Sequence, residues 1–149
     1  LVSPHKPSEP VMRFSDTSAR SQILSSEHAI LCTLNKDRGV DAVPVCFAVF
    51  NDLLVVPIDL IKPKKSPPLQ RIRNLQLDPR ATLLCDHWDM ADWTKLWWVR
   101  ANMVRADFTP DQRLVLEQRL REKYVQYADA AFSDLLVFRI SALSGWSAA

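Results

Sequence analysis

At 149 residues, 48% of them hydrophobic and 24% charged, the sequence fits one folded domain large enough to bury a core. Its 19 basic and 17 acidic side chains leave a formal charge of +2, too small for a broad nucleic-acid-binding face. No apolar run approaches the roughly 18 residues of a membrane span.

The opening LVSPHKPSEP carries three prolines and no apolar signal-peptide core, so residues 1–14 are expected to form a flexible arm. Residues 15–149 then read as a single domain. Ser15 to Ser26 is predicted as a helix capped by Ser15 or Asp16, with Ile23 and Leu24 facing inward. A three-strand meander follows. Ala29 to Leu34 is the first strand, Lys36-Asp37-Arg38-Gly39 the turn, and Val40 to Phe50 the second strand. Pro44 within it suggests an edge or a bulge, because proline has no ladder donor. Asn51-Asp52 turns the chain into Leu53 to Ile58, whose unbroken LLVV core predicts a strand covered on both faces.

The next stretch is the most unusual. From Lys62 to Arg80 there are six basic side chains (Lys62, Lys64, Lys65, Arg71, Arg73, Arg80) and one acid, Asp78. With only Gly39 and Gly145, the chain cannot build a glycine-rich phosphate loop. Any phosphate must be held by side chains, helped by a helix N-terminus. Such a helix is predicted here, with Ser66 as its cap, Pro67 and Pro68 in its first turn and Asp78-Pro79 at its end. On an ideal helix Arg71 and Arg73 lie roughly 200° apart, so one phosphate does not reach both. Arg71 is nearer the helix start. Arg80 anchors the loop at a strand start.

Arg80 to Trp88 and Lys95 to Ala106 are the fourth and fifth strands. Thr109-Pro110-Asp111-Gln112 is a capping box for the longest helix, where Leu116, Leu120, Tyr124 and Tyr127 form an apolar stripe. Leu135 to Ile140 is the last strand, and SGWS closes the chain with Trp146 docked on the barrel or on a partner subunit. Antiparallel runs with few helices argue for a small barrel in an α+β, mostly β protein, with two or three peripheral helices. The three cysteines, Cys32, Cys46 and Cys85, sit in apolar runs and suit buried thiols in a reducing compartment. A cytoplasmic protein is expected. Cys85 and His87 lack two further ligands at metal spacing, so no metal is expected.

The segments VPVCFAVFNDLLVV, KPKK, LQRIRNLQLDPRATLLCDHWD, DWTKLWWVRA and SGWS, in that order, resemble the split β-barrel proteins related to pyridoxamine 5'-phosphate oxidase. Within that group they resemble a branch of actinobacterial type assigned to the deazaflavin coenzyme F420. The resemblance spans roughly residues 16 to 148. It implies an FMN-binding-like antiparallel split barrel, a homodimer with two cofactors at the subunit interface, and a small-molecule substrate. It also puts Lys62, Lys64, Lys65 and Ser66 in the phosphate-binding position, while the spread of cations to Arg73 suits the longer tail of F420 slightly better than FMN.

The cofactor ring is expected near Pro44-Val45-Cys46 and Pro57-Ile58-Asp59, where prolines leave strand backbone groups free for its polar edge. Arg71 joins the phosphate end. Arg100 shares a strand face with Trp98 and is expected to hold a carboxylate or phosphate or to form a core-edge salt bridge, and Trp98 and Trp146 wall the substrate side. No side chain forms a convincing nucleophile or acid–base pair, which fits a cofactor that carries the hydride chemistry itself. A redox enzyme using F420 or FMN is thus the first reading. A non-catalytic carrier of the same cofactors is the second. A single-stranded nucleic-acid binder is the third and weakest, because the aromatic segment carries Asp86, Asp89 and Asp92.

Overall fold

A computed structural model of the protein describes residues 12–58 and 69–149. In chain order the elements are β1 (Met12–Arg13), α1 (Asp16–Ser25), β2 (Ala29–Asn35), β3 (Gly39–Val45), β4 (Ala48–Phe50), β5 (Leu53–Pro57), α2 (Gln70–Leu77), β6 (Arg80–His87), β7 (Trp97–Arg105), α3 (Pro110–Lys123) and β8 (Leu135–Ser147). One antiparallel sheet runs β3-β2-β6-β7-β8-β5-β4, with β1 paired to β8. The chain is therefore α+β and mostly β, with three peripheral helices.

The sheet curls around a first core that includes Leu31, Phe47, Leu54, Val56, Leu83, Val99, Met103, Leu136 and Phe138. A second core lies between α3 and the opposite face of β4, β5 and β8, built from Leu53, Val55, Leu116, Leu120, Phe132, Leu135 and Val137. The all-apolar β5 follows from this sandwich position. Alternate side chains feed the two cores, so both faces are covered as its sequence requires.

Local chemistry sets the boundaries. Ser15 Oγ accepts from Ser18 N–H and starts α1. Ile23 is buried, but Leu24 is exposed and not inward-facing as expected. Gly39 takes φ +93° and Asn51 φ 54°, the left-handed conformations that the two hairpin turns demand. Thr109 and Gln112 form the expected capping box.

The expected second strand is broken. β3 ends at Val45 and β4 begins at Ala48, because Phe47 turns its ring fully into the core and its N–H bonds to the Tyr124 hydroxyl at 3.0 Å instead of to a strand. Among the described residues β3 and β4 are consequently the two ends of the ladder, and no hydrogen bonds between them close it. Pro44 does sit on an edge strand.

The last strand is longer than expected. β8 continues to Ser147, with Gly145 opposite Val99 and Trp146 opposite Trp98, so SGWS is strand and not a flexible close. Glycine is needed there: a Cβ at Gly145 would meet Phe14 Cδ2 and Val99 Cγ1 at 2.6 Å. Phe14 N–H donates to Gly145 O at 3.1 Å, and β1 pairs with Ser147 and Trp146. Residues 12–14 of the expected arm are thereby tied to the sheet.

Two helix expectations also change. α2 starts at Gln70 with Leu69 at its N-cap position, not at Ser66. α3 ends at Lys123, where Tyr124 adopts an extended backbone (φ -118°, ψ 114°), so Tyr124 and Tyr127 lie beyond the helix. Ser66, Pro67 and Pro68 fall outside the described residues.

Candidate functional site

A cavity of about 340 Å³ opens at the seam between the end of β3, one rim of the ladder, and the end of β5, the strand next to the other rim. One wall is the end of β3 and the link to β4, at Pro44, Val45 and Cys46. A second is the end of β5 at Pro57 and Ile58, and Arg71 from the first turn of α2 joins them. The chain between α3 and β8 closes the far side with Gln126, Tyr127, Ala130 and Phe132. Apolar walls with a few polar groups, at a size near the lower end of small-molecule pockets, suit one flat ring system.

The surrounding contacts hold these walls in place. Tyr124 Oη accepts from Phe47 N–H and donates to Glu27 O at 2.7 Å, tying the β3–β4 break to the end of α3. Burial pushes the Tyr124 phenol up, so it remains protonated and structural. Lys123 Nζ lies 3.5 Å from the centre of the Phe47 ring, a cation–π contact, while burial lowers its ammonium to about 8. α2 is fixed by a polar network. Asn74, 2% exposed, donates to Thr33 Oγ1 at 2.9 Å and Asp41 Oδ2 at 2.8 Å. Arg38, with Asn35 and Asn74, holds the Asp41 carboxyl well below the usual carboxylate range.

A larger cavity, about 410 Å³, lies on the outer face of the sheet between β2, β3, β6 and β7. Its guanidinium, Arg80, is already bound by Asp78 at 2.7 Å, which leaves it poorly placed to capture an anion. That ion pair also fits the anchoring role expected of Arg80. Burial raises both Cys32 and Cys85, so neither is a thiolate at neutral pH.

No protein-family model and no curated protein matches this sequence. Solved structures do. An FAD-binding protein from Mesorhizobium loti superposes with a TM-score of 0.68 at 16% identity, over 95% of this chain and 98% of that one. A Corynebacterium glutamicum protein assigned as a pyridoxamine 5'-phosphate oxidase gives 0.56 at 15% identity, over 92% and 97%. The chain has the split β-barrel fold of the pyridoxamine 5'-phosphate oxidase-like proteins. The same barrel serves the heme storage protein of Vibrio cholerae, with a TM-score of 0.58 at 12% identity over 86% and 92%.

Within this split barrel, Pro44, Val45, Cys46, Pro57, Ile58 and Arg71, predicted as cofactor-binding, meet around one cavity. Asp59, Lys62, Lys64, Lys65 and Ser66 lie outside the described residues. Arg73 bonds to Gln70 Oε1 at 2.7 Å. Trp98, Arg100 and Trp146 do not line the cavity. They share the outer face of β7 and β8, where Arg100 stacks 4.8 Å from the Trp98 ring and its Nε donates to Ser144 Oγ. Trp97 points the other way, packs on the first core and stacks with His87.

The 126–132 wall was missed. Tyr127 had a sequence signal, its place in the apolar stripe, but that stripe assumed a helix that stops four residues earlier. Gln126, Ala130 and Phe132 had none.

Proposed function

We propose that this protein binds a flavin-type cofactor in the seam cavity and uses it to transfer hydride to or from a small molecule. The observation that carries this reading is the convergence of the ends of β3 and β5, Arg71 and an aromatic wall on one ring-sized cavity. The residues present fit such a group. Pro44, Pro57 and Ile58 offer flat apolar surface, the edge strands offer backbone N–H and C=O groups to a polar ring edge, and Arg71 offers positive charge toward a phosphate. The lysines from Lys62 to Lys65, on the chain between β5 and α2, extend that charge in sequence. When bound, the cofactor supplies the hydride chemistry. The chain supplies binding, orientation and exclusion of water.

Coenzyme F420 is the cofactor we favour over FMN, because the cations span Lys62 to Arg73 and the F420 tail is the longer. We further propose a homodimer, with the outer face of β7 and β8 as a candidate contact surface, since Trp98 and Trp146 present large aromatic area there. A carrier that binds the cofactor without turnover is the second reading, which fits a lining with no acid–base pair among the described residues.

Titration of the purified protein with F420 and FMN, oxidised and reduced, tests the reading. Binding of either with bleaching of its absorbance on addition of an electron donor supports an oxidoreductase. Binding without turnover across a panel of small electrophiles supports the carrier. Failure to bind either cofactor overturns both.

A further inference from the structure

The far wall of the cavity belongs to a segment whose backbone is partly committed. Tyr127 N–H donates to Tyr124 O at 2.9 Å and Ala130 N–H to Tyr127 O at 3.0 Å, which winds the chain into tight turns. Arg121 Nε and Nη2 both donate to Ala130 O, at 3.1 and 2.9 Å, and Arg113 Nη2 donates to Phe132 O at 2.8 Å. Two arginines of α3 therefore clamp the segment from behind. The main chain of Tyr127 and Ala130 has little left to offer a ligand, so recognition at those positions falls to side chains.

Those side chains form a graded surface. Tyr124, Tyr127 and Phe132 make an edge-to-face series, with centroids 5.5 and 5.3 Å apart and planes at 72° and 76°. Phe132 is buried at 6% exposure, and the Arg121 guanidinium lies 5.3 Å from its ring centre, so the base of the series is rigid. Tyr127 is half-buried and reaches the cavity. Beside it the Gln126 amide lines the cavity with no hydrogen bond among the described residues. An amide both donates and accepts, matching the alternating C=O and N–H groups on the edge of an isoalloxazine or deazaisoalloxazine.

We propose that Gln126 and Tyr127 form the ring-selecting wall of the cavity, Tyr127 as the aromatic contact and Gln126 as the reader of the ring's donor–acceptor edge. This rests on the reading that the cavity takes a flavin-type ring. Both residues act on the ring and neither on the phosphate, which distinguishes them from Arg71 across the site.

The test measures dissociation constants of riboflavin and FMN for the wild-type chain, Gln126→Leu and Tyr127→Leu, with melting curves to check folding. Riboflavin isolates the ring, and FMN adds the phosphate. Loss of one or two hydrogen bonds at Gln126 should weaken both ligands about tenfold, by the same factor. Tyr127→Leu should do likewise. Gln126 is exposed, so its variant keeps the fold and the test stands even if Tyr127→Leu is unstable. If the wild type binds neither ligand nor F420, the flavin reading fails and this proposal with it. If the wild type binds and Gln126→Leu matches it, or weakens FMN alone, the wall assignment alone is wrong.

Discussion

Removing one oxygen atom should measure how firmly the seam is held. In Tyr124→Phe the ring stays and its packing against Tyr127 is preserved, but the hydroxyl that accepts from Phe47 N–H and donates to Glu27 O is gone. The two partners respond differently. Glu27 is exposed, so water replaces the lost donor to its carbonyl. Phe47 is fully buried, and its amide is left without an acceptor. An orphaned buried N–H costs about 1–3 kcal/mol, so the variant should lose about 2 kcal/mol. For a chain of this size that lowers Tm by roughly 4–8 °C. In urea the midpoint should fall by roughly 1 M with an unchanged slope, because the surface exposed on unfolding is the same. A loss below about 0.5 kcal/mol would show that the β3–β4 break is held by packing alone and refute the argument.

Other perturbations reach other parts of the molecule. Gly145→Ala forces a Cβ into Phe14, Val99 and the Trp98 carbonyl, and should cost about 1–3 kcal/mol by urea unfolding. Arg71→Ala should weaken FMN ten- to a hundredfold in fluorescence titrations and leave riboflavin nearly unchanged, and Lys64→Ala with Lys65→Ala should act in the same sense. For Lys123, burial lowers the folded-state value to about 8 from an ordinary 10.5. Between those pH values the unfolded chain binds the extra proton, so wild-type stability should rise with pH relative to Lys123→Met, and the two should run parallel below pH 7. Light scattering should find a dimer at micromolar concentration, and a monodisperse monomer would count against the interface on β7 and β8.

Much of the barrel was legible because strand periodicity is short-range. LLVV announced a doubly covered strand, Gly39 and Asn51 announced turns, and Thr109 to Gln112 announced a helix start. Most misreadings of the fold concern termination. Nothing local says that Phe47 should leave the ladder, since its N–H partner is Tyr124, 77 residues away. Nothing local says that SGWS is strand, since Gly145 is chosen for its contact with Phe14. Half of the cavity followed from the positions of Pro44 and Pro57. The other half did not, because Ala130 and Phe132 are placed by arginine clamps from α3 that leave no periodic trace.

The open ladder has a kinetic consequence. β6, β7 and β8 have hydrogen-bonded neighbours on both sides, whereas β3 and β4 each present one edge without a strand partner. Amide hydrogen exchange should therefore be slowest along the centre of the sheet and fastest at its two rims, with Tyr124 as the latch between them. A molecule lodged between Pro44 of β3 and Pro57 of β5 would touch one rim and the strand next to the other. It would slow exchange on two strands far apart in the ladder, and so act as the missing rung.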